Sequence, residues 1–203
     1  MSSWPFAPGE SPFRMKGIAY RAFLKFIEEE LPGGKEAFLQ QLEDPALREF
    51  ASQAFLAASW YDVGPVVAMN EVVAGIRGEP MEAFLRQRGR AHAEEDLSGV
   101  YAWLLRLATP AAVAKGLPRL VQRYFDWGET LAEDVGPGHV RVVRSGIPDH
   151  LAQWLDSVSL PYIEYALEKT GARGLELSLD GHPAERVHGQ PASRRIYDIR
   201  WRA

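Results

Sequence analysis

The chain has 203 residues, of which 46% are hydrophobic and 25% are charged, and its formal net charge is −4. These values are typical of a globular protein with a core of its own, and no basic block indicates a nucleic-acid partner. The chain contains no cysteine, which excludes disulfides, thiolate metal sites and a cysteine nucleophile.

The N-terminal segment is irregular in composition. Residues 1–14 are rich in Pro, Ser and Gly, and they predict an extension without regular structure. Its aromatic residues Trp4, Phe6 and Phe13 either pack on the chain's own domain or contact a partner. The segment lacks the charged start and apolar stretch of a signal peptide, and no apolar run in the chain is long enough to span a bilayer. We therefore expect a cytoplasmic protein without a membrane span.

Amphipathic patterns predict helices throughout the first half of the chain. They cover residues 16–31, 35–42, 45–53 and 64–76, a segment that starts at Pro80, and residues 100–108. A further helix starts at Thr109 and Pro110. Because Pro118 lacks an N–H and biases the preceding residue away from the helical region, we expect this helix to stop and restart there.

The last third of the chain predicts a small sheet. Alternating residues indicate strands at 139–143, 175–179 and 195–201, and residues 180–193 read as a polar connection. Residues 147–170 predict two helices split near Pro161. The fold class is therefore α+β, with an N-terminal helical part followed by a small antiparallel sheet with two covering helices.

Four segments carry a resemblance to a known superfamily. They are KGIAYRAFLKFIEEELPG, the Tyr61-Asp62 turn, LPRLVQRYFDWG leading to GPGHVRVV, and the closing HGQPASRRIYDIRW. Together they resemble the superfamily that joins heme-NO-binding domains, 4-vinyl reductase domains and the transport-particle subunits of Golgi traffic. The last segment resembles the end of a 4-vinyl reductase domain without its Cys residues. The resemblance implies that residues 15–203 are a single α+β domain of ligand-binding type, bacterial and used in signalling.

Two residue patterns of the heme-binding branch are missing. That branch ligates iron with a His on the helix before the first strand, whereas this chain has no His between His92 and His139. That branch also holds the heme propionates with Tyr-x-Ser-x-Arg, whereas residues 143–147 here read VRSGI. We therefore expect a heme-free branch of the superfamily, with no cofactor and specifically no heme.

The resemblance implies a ligand cavity between helices and sheet, of the apolar kind with a few polar groups. The candidate lining residues are Trp103, Leu120, Val121, Tyr124, Phe125, Trp154, Tyr162 and Tyr165. In the alternative interpretation these side chains simply pack in the hydrophobic core. Arg88 and His92, four residues apart, are candidate polar anchors for a ligand carboxylate or phosphate, or they pair with the acidic residues at 94–96.

No residue pattern indicates an enzyme. No two His have the helical spacing of a zinc site, no Ser lies in a nucleophile elbow, and no carboxylate pair is placed for acid–base work. We expect a heme-free small-molecule-binding or sensory domain with an apolar pocket. The alternative is a protein–protein interaction domain, for dimerisation or as a scaffold, with a filled core and no ligand. Apolar residues on more than one side of residues 100–108, and pairing within the superfamily, predict a homodimer or another protein partner.

Overall fold

The computed structural model describes residues 4–98 and 107–202. Most of the helical segment predicted at 100–108, including the pocket candidate Trp103, therefore lies outside the described residues. Helices and antiparallel strands are both present, as predicted for the α+β class. The chain divides into two compact units, Met1–Phe84 with Arg123–Asp126, and Leu85–Gln122 with Trp127–Ala203. The predicted separation into an extension and a single domain stays a prediction.

The first unit is mainly helical, and its elements follow the predicted helices within a few residues. They are β1 (Arg14–Lys16), α1 (Gly17–Glu30), α2 (Gly34–Gln41), α3 (Pro45–Ser52), β2 (Trp60–Asp62), α4 (Pro65–Arg77) and the start of α5 (Met81–Asp96). The side chain of Asp44 accepts a hydrogen bond from the Ala46 N–H and so caps α3. Strands β1 and β2 pair antiparallel; at three residues each they are too short to show an alternating pattern.

A buried carboxylate, that of Asp62, connects the N-terminal segment to the turn before α4. It accepts hydrogen bonds from the backbone N–H groups of Gly9 at 2.9 Å, Ser11 at 3.2 Å and Gly64 at 2.8 Å, and from the Ser11 hydroxyl. The Tyr20 hydroxyl donates to the Asp62 carbonyl at 2.5 Å. Because Asp62 is fully buried, these protein donors take the place of water around the charge.

The aromatic residues of the extension pack on the chain's own first unit. The ring of Trp4 contacts those of Phe6 at 5.3 Å and Phe13 at 5.7 Å between centroids. A Cβ atom on Gly64 would lie 2.0 Å from the Trp4 indole nitrogen, so the indole is seated against bare backbone. Of the two interpretations of these aromatic residues, packing on the chain itself is the one observed.

The second unit is built on a four-stranded antiparallel sheet in the order β3-β4-β6-β5. The strands are β3 (Glu129–Gly136), β4 (His139–Pro148), β5 (Arg173–Val187) and β6 (Gln190–Arg202), and the helices with them are the end of α5, most of α6 (Pro110–Tyr124) and α7 (Asp149–Lys169). Side chains from α6, α7 and the sheet form one buried cluster. Its members are Ala114, Leu117, Val140, Val142, Ile163, Leu167, Tyr197 and Ile199.

Both predicted helix breaks at proline are wrong. Pro118 lies inside α6 and Pro161 inside α7, and each helix is continuous. A proline in a helix removes one backbone hydrogen bond, and buried neighbours such as Leu117 and Ile163 anchor the turns on either side. Tertiary packing therefore outweighs the local preference at both positions.

The sheet is larger than predicted. The sequence pattern predicts no strand at the position of β3. It predicts a connection at residues 180–193, yet most of these residues extend β5 and β6. Neither segment has an inward apolar face along its length. Their regularity comes from hydrogen bonding to neighbouring strands, which a local pattern does not reveal. Within the described ranges, no helix is long and apolar enough to cross a bilayer.

Replacing Asp62 should destabilise the protein more than replacing an exposed capping residue. The change Asp62→Ala leaves several buried donors without an acceptor, and we expect it to lower the free energy of unfolding by about 3 kcal/mol or more. The control Asp44→Ala removes an exposed helix cap and should cost about 1 kcal/mol. Urea denaturation of both variants checks this, and equal losses would contradict the role assigned to Asp62.

Candidate functional site

The close crossing of α5 and α7 in the second unit brings several predicted site residues together. A Cβ atom on Gly89 would lie 2.4 Å from the Val158 carbonyl oxygen and 2.9 Å from the Pro161 ring. The absence of a side chain at Gly89 therefore lets the two helices touch. Next to this crossing, Ala93, Tyr162 and Tyr165 form a buried cluster against which Leu97 and Leu120 pack. We call this set of five residues the tyrosine cluster.

A polar group lies at one side of the tyrosine cluster. The His92 Nε2 atom lies 3.5 Å from an Asp96 carboxylate oxygen, and the Tyr162 hydroxyl donates to the same oxygen at 3.3 Å. The His92 and Tyr162 rings are 6.0 Å apart between centroids. His92 thus pairs with an acidic residue at the end of α5, which is the second of the two interpretations given for it.

Two positively charged side chains lie over the Tyr165 ring. The Arg90 guanidinium lies 5.3 Å and the Lys169 ammonium 4.8 Å from its centroid. Arg90 also donates to Glu168 at 3.0 Å. Arg90 therefore links the outer surface of α5 to α7 by a cation–π contact and one ion pair, whereas Lys169 contacts a ring of its own helix.

The remaining candidates lie elsewhere. Val121 is half-buried on α6, Trp154 is buried on α7, and Arg88 is half-buried on α5. Tyr124 and Phe125 belong to the first unit, where their rings are 6.5 Å apart and Phe125 bridges to Met15. That all the candidate residues line one pocket stays a prediction.

A second set of polar residues, on the sheet, was missed by the sequence interpretation. Thr130, Arg144 and Arg195 are directly opposite one another on β3, β4 and β6, and we call them the polar row. They share the sheet face of the buried Val142. The signal was present in the sequence, because Arg144 follows the inward positions 140 and 142 of an alternating strand.

The polar row is in contact with α7 and with an indole. Arg144 is only 2% exposed, and its guanidinium lies 4.7 Å from the Trp127 ring centroid. On α7, the Asp156 carboxylate lies 3.1 Å from Arg195 Nε and accepts a hydrogen bond from the Tyr197 hydroxyl at 3.2 Å. One carboxylate of α7 therefore contacts two side chains of β6.

Burial shifts the pKa values of Arg144, Asp156 and Tyr197, and Arg144 keeps its positive charge. Burial lowers the pKa of Arg144 to about 10, so the guanidinium is still charged at neutral pH. Burial also raises the pKa of Asp156, and nearby Arg195 opposes that shift. The pKa of Tyr197 rises for the same reason of burial, and its hydroxyl remains a donor throughout the physiological range.

Over residues 4–98 and 107–202, no group of three or more His, Cys, Asp or Glu side chains is placed to hold a metal ion.

The fold is shared with solved structures of H-NOX (heme-NO-binding) domains. One, an oxygen-binding H-NOX domain related to soluble guanylate cyclases, is 14% identical with a TM-score of 0.63, covering 93% of this chain and 96% of that chain. A mutant of the H-NOX protein of T. tengcongensis is 13% identical with a TM-score of 0.64, covering 93% and 98%. A structure concerned with heme redox potential and porphyrin distortion is 14% identical with a TM-score of 0.62, covering 92% and 100%. No family model and no curated protein matches the chain.

These neighbours confirm the resemblance to heme-NO-binding domains at the level of the fold. The named 4-vinyl reductase and Golgi transport-particle relatives are not confirmed. The prediction of a chain without a cofactor, and specifically without heme, is wrong, because the structures that share the fold are those of heme domains. That prediction was based on the missing His of the helix before the first strand and on the missing Tyr-x-Ser-x-Arg pattern, and for the iron ligand it considered only that one His. Tyr, Met and Cys also ligate heme iron, and a ligand can come from another element.

The α5–α7 crossing can be tested with two glycine substitutions. In Gly89→Ala the new methyl group meets the backbone of α7, and we expect overpacking to lower the free energy of unfolding by about 1–3 kcal/mol. In Gly116→Ala, on α6, the new Cβ meets no atom within 4 Å, and stability should rise by up to about 1 kcal/mol because alanine favours helix. Thermal unfolding of both variants distinguishes close packing from a general helix effect, and a stabilised Gly89→Ala protein would contradict the close crossing.

Proposed function

We propose that this chain is a sensory domain that binds a small molecule. The observation that carries the proposal is the correspondence of fold with H-NOX domains over more than nine-tenths of both chains. A shared fold does not by itself establish a shared function. The proposal therefore also depends on the residues that this chain offers to a ligand. The expected cytoplasmic location and the absence of enzyme activity stay predictions.

The tyrosine cluster offers one apolar surface of the kind that ligand sites use. Its residues combine aromatic area from Tyr162 and Tyr165 with the aliphatic side chain of Leu120. His92 and Asp96 provide a polar edge. Small-molecule sites are mostly apolar with a few placed polar groups, and this composition supports a ligand with a flat apolar body.

Heme is one candidate ligand, and the chain has side chains that can ligate iron. Helix α6 carries no His, so an axial ligand would come from another residue. Among the predicted pocket residues, the groups that ligate heme iron in proteins are the His92 imidazole and the hydroxyls of Tyr124, Tyr162 and Tyr165. Bound heme would supply an iron atom at which a diatomic gas can bind.

One observation favours the alternative, an interaction domain with a filled core. Leu120 packs against both the tyrosine cluster and the larger cluster that α6, α7 and the sheet share. A residue that joins two packed clusters is what a continuous core without a ligand would contain. In this alternative the chain would act through the predicted homodimer or another protein partner.

A binding panel tests the proposal directly. The purified chain is titrated with hemin, protoporphyrin IX, a fatty acid and a flat aromatic dye, and followed by absorbance and by thermal unfolding. We expect at least one probe to form a saturable one-to-one complex and to raise the unfolding midpoint, since a ligand stabilises the state to which it binds. Four variants, His92→Gln, Tyr124→Phe, Tyr162→Phe and Tyr165→Phe, compared with hemin as the probe, then identify the iron ligand by loss of the Soret band. If no probe saturates, the interaction-domain alternative replaces this proposal.

A tryptophan on α6 distinguishes a cavity from a filled core. If Val121 lines a ligand cavity, Val121→Trp should fill it, abolish binding of the active probe and leave the unfolding midpoint near the wild-type value. If Val121 packs in a filled core, the change should cost roughly 1–3 kcal/mol. Val135→Trp, at a valine on β3 that is 41% exposed, is the matched control and should alter neither quantity.

A further inference from the structure

The polar row holds one buried donor without an acceptor and one that is poorly aligned with its carboxylate partner. Thr130 is 5% exposed, and its hydroxyl has no hydrogen-bond partner among the described residues. The Nε–H of Arg195 is buried and makes no hydrogen bond among the described residues. The Asp156 carboxylate lies 3.1 Å from this nitrogen but is not aligned with the N–H. Buried donors are nearly always satisfied in folded proteins, so the Thr130 hydroxyl points to an acceptor that is not part of the described chain.

The two positive charges of the polar row share one nearby carboxylate, that of Asp156. Arg144 and Arg195 are directly opposite on neighbouring strands, an arrangement in which like charges repel. Asp156 lies beside them on α7 and forms an ion pair with Arg195. Arg144 stays charged in spite of its burial, and an arginine presents five donors that can serve several acceptors at once.

Positions without side chains flank both guanidinium groups. A Cβ atom on Gly181 would lie 1.9 Å from an Arg195 terminal nitrogen, and one on Gly128 would lie 3.8 Å from Arg144 Nε. Next to Arg144, the pairing of β4 with β6 is interrupted by a register shift, and Gly146 in this interval has a φ of 73°. Such irregularities re-aim side chains and are frequent beside functional sites.

We propose that the polar row is a binding site for a small oxyanion, with the Thr130 hydroxyl donating to it and Arg144 and Arg195 supplying the positive charge. The oxyanion is either the carboxylate of an organic acid or an inorganic phosphate. This inference goes beyond the sensory function proposed above and does not depend on which molecule the tyrosine cluster binds.

The test uses the full chain and its thermal unfolding in sodium acetate, sodium phosphate and sodium chloride at matched ionic strength. We expect a saturable rise of the unfolding midpoint with acetate or phosphate that chloride does not produce. A response to acetate alone identifies a carboxylate site, and a response to phosphate identifies a site for phosphate. A midpoint that depends only on ionic strength overturns the proposal.

Three variants test whether the polar row is responsible for the anion response. Thr130→Val keeps the shape of the side chain and removes its donor, so the half-saturating anion concentration should rise roughly tenfold, the value of one hydrogen bond to a charged group. In chloride this variant should unfold at or above the wild-type midpoint, since it loses only an unsatisfied hydroxyl, and it therefore remains testable. Arg195→Gln should weaken the anion response, whereas Arg194→Gln, at the exposed position next to it on β6, should leave it unchanged. Equal responses in wild type and Thr130→Val would overturn the assignment.

Discussion

The burial of α7 against the sheet is the constraint on which the second unit depends. One side of α7 places Ile163 and Leu167 in the core shared with α6 and the strands. Another side places Tyr162 and Tyr165 against α5. Near its middle, Asp156 lies beside the polar row. Both candidate sites of the unit are therefore positioned by one helix, and a change in its seating on the sheet would alter both.

The first unit depends on a different kind of interaction, an internal charge. Asp62 is fully buried and is surrounded by backbone donors from the N-terminal segment and from the turn before α4. Hydrophobic packing alone does not specify where an irregular segment lies, because it is non-directional. The hydrogen bonds to Asp62 give residues 9–11 one position, and the rings of Trp4 and Phe13 then have a defined surface to cover.

The functional argument rests on fold and on site separately. At 12–14% identity the solved H-NOX structures show that the framework is shared, whereas ligand chemistry is a property of particular side chains. This distinction explains why the missing His on α6 was a poor guide. A His on that helix is one way of holding heme iron, and Tyr, Met and Cys side chains are others.

The amino-acid sequence determines most of the helices by local means. The caps at Asp44 and Thr109 and the apolar faces of α1 and α4 depend on residues three or four apart, so their elements could be predicted, as could the strand pattern around Val140 and Val142. The polar row was visible in principle, because alternation places Arg144 on the inward face.

Contacts between distant segments determine the remaining features. They explain why α6 and α7 continue through Pro118 and Pro161, and why β3 and the long β5–β6 pair form. The approach of α5 to α7 at Gly89 and the meeting of Asp156 with Arg195 are of the same kind. Their energy comes from partners far away in the chain, and for that reason only the folded arrangement reveals them.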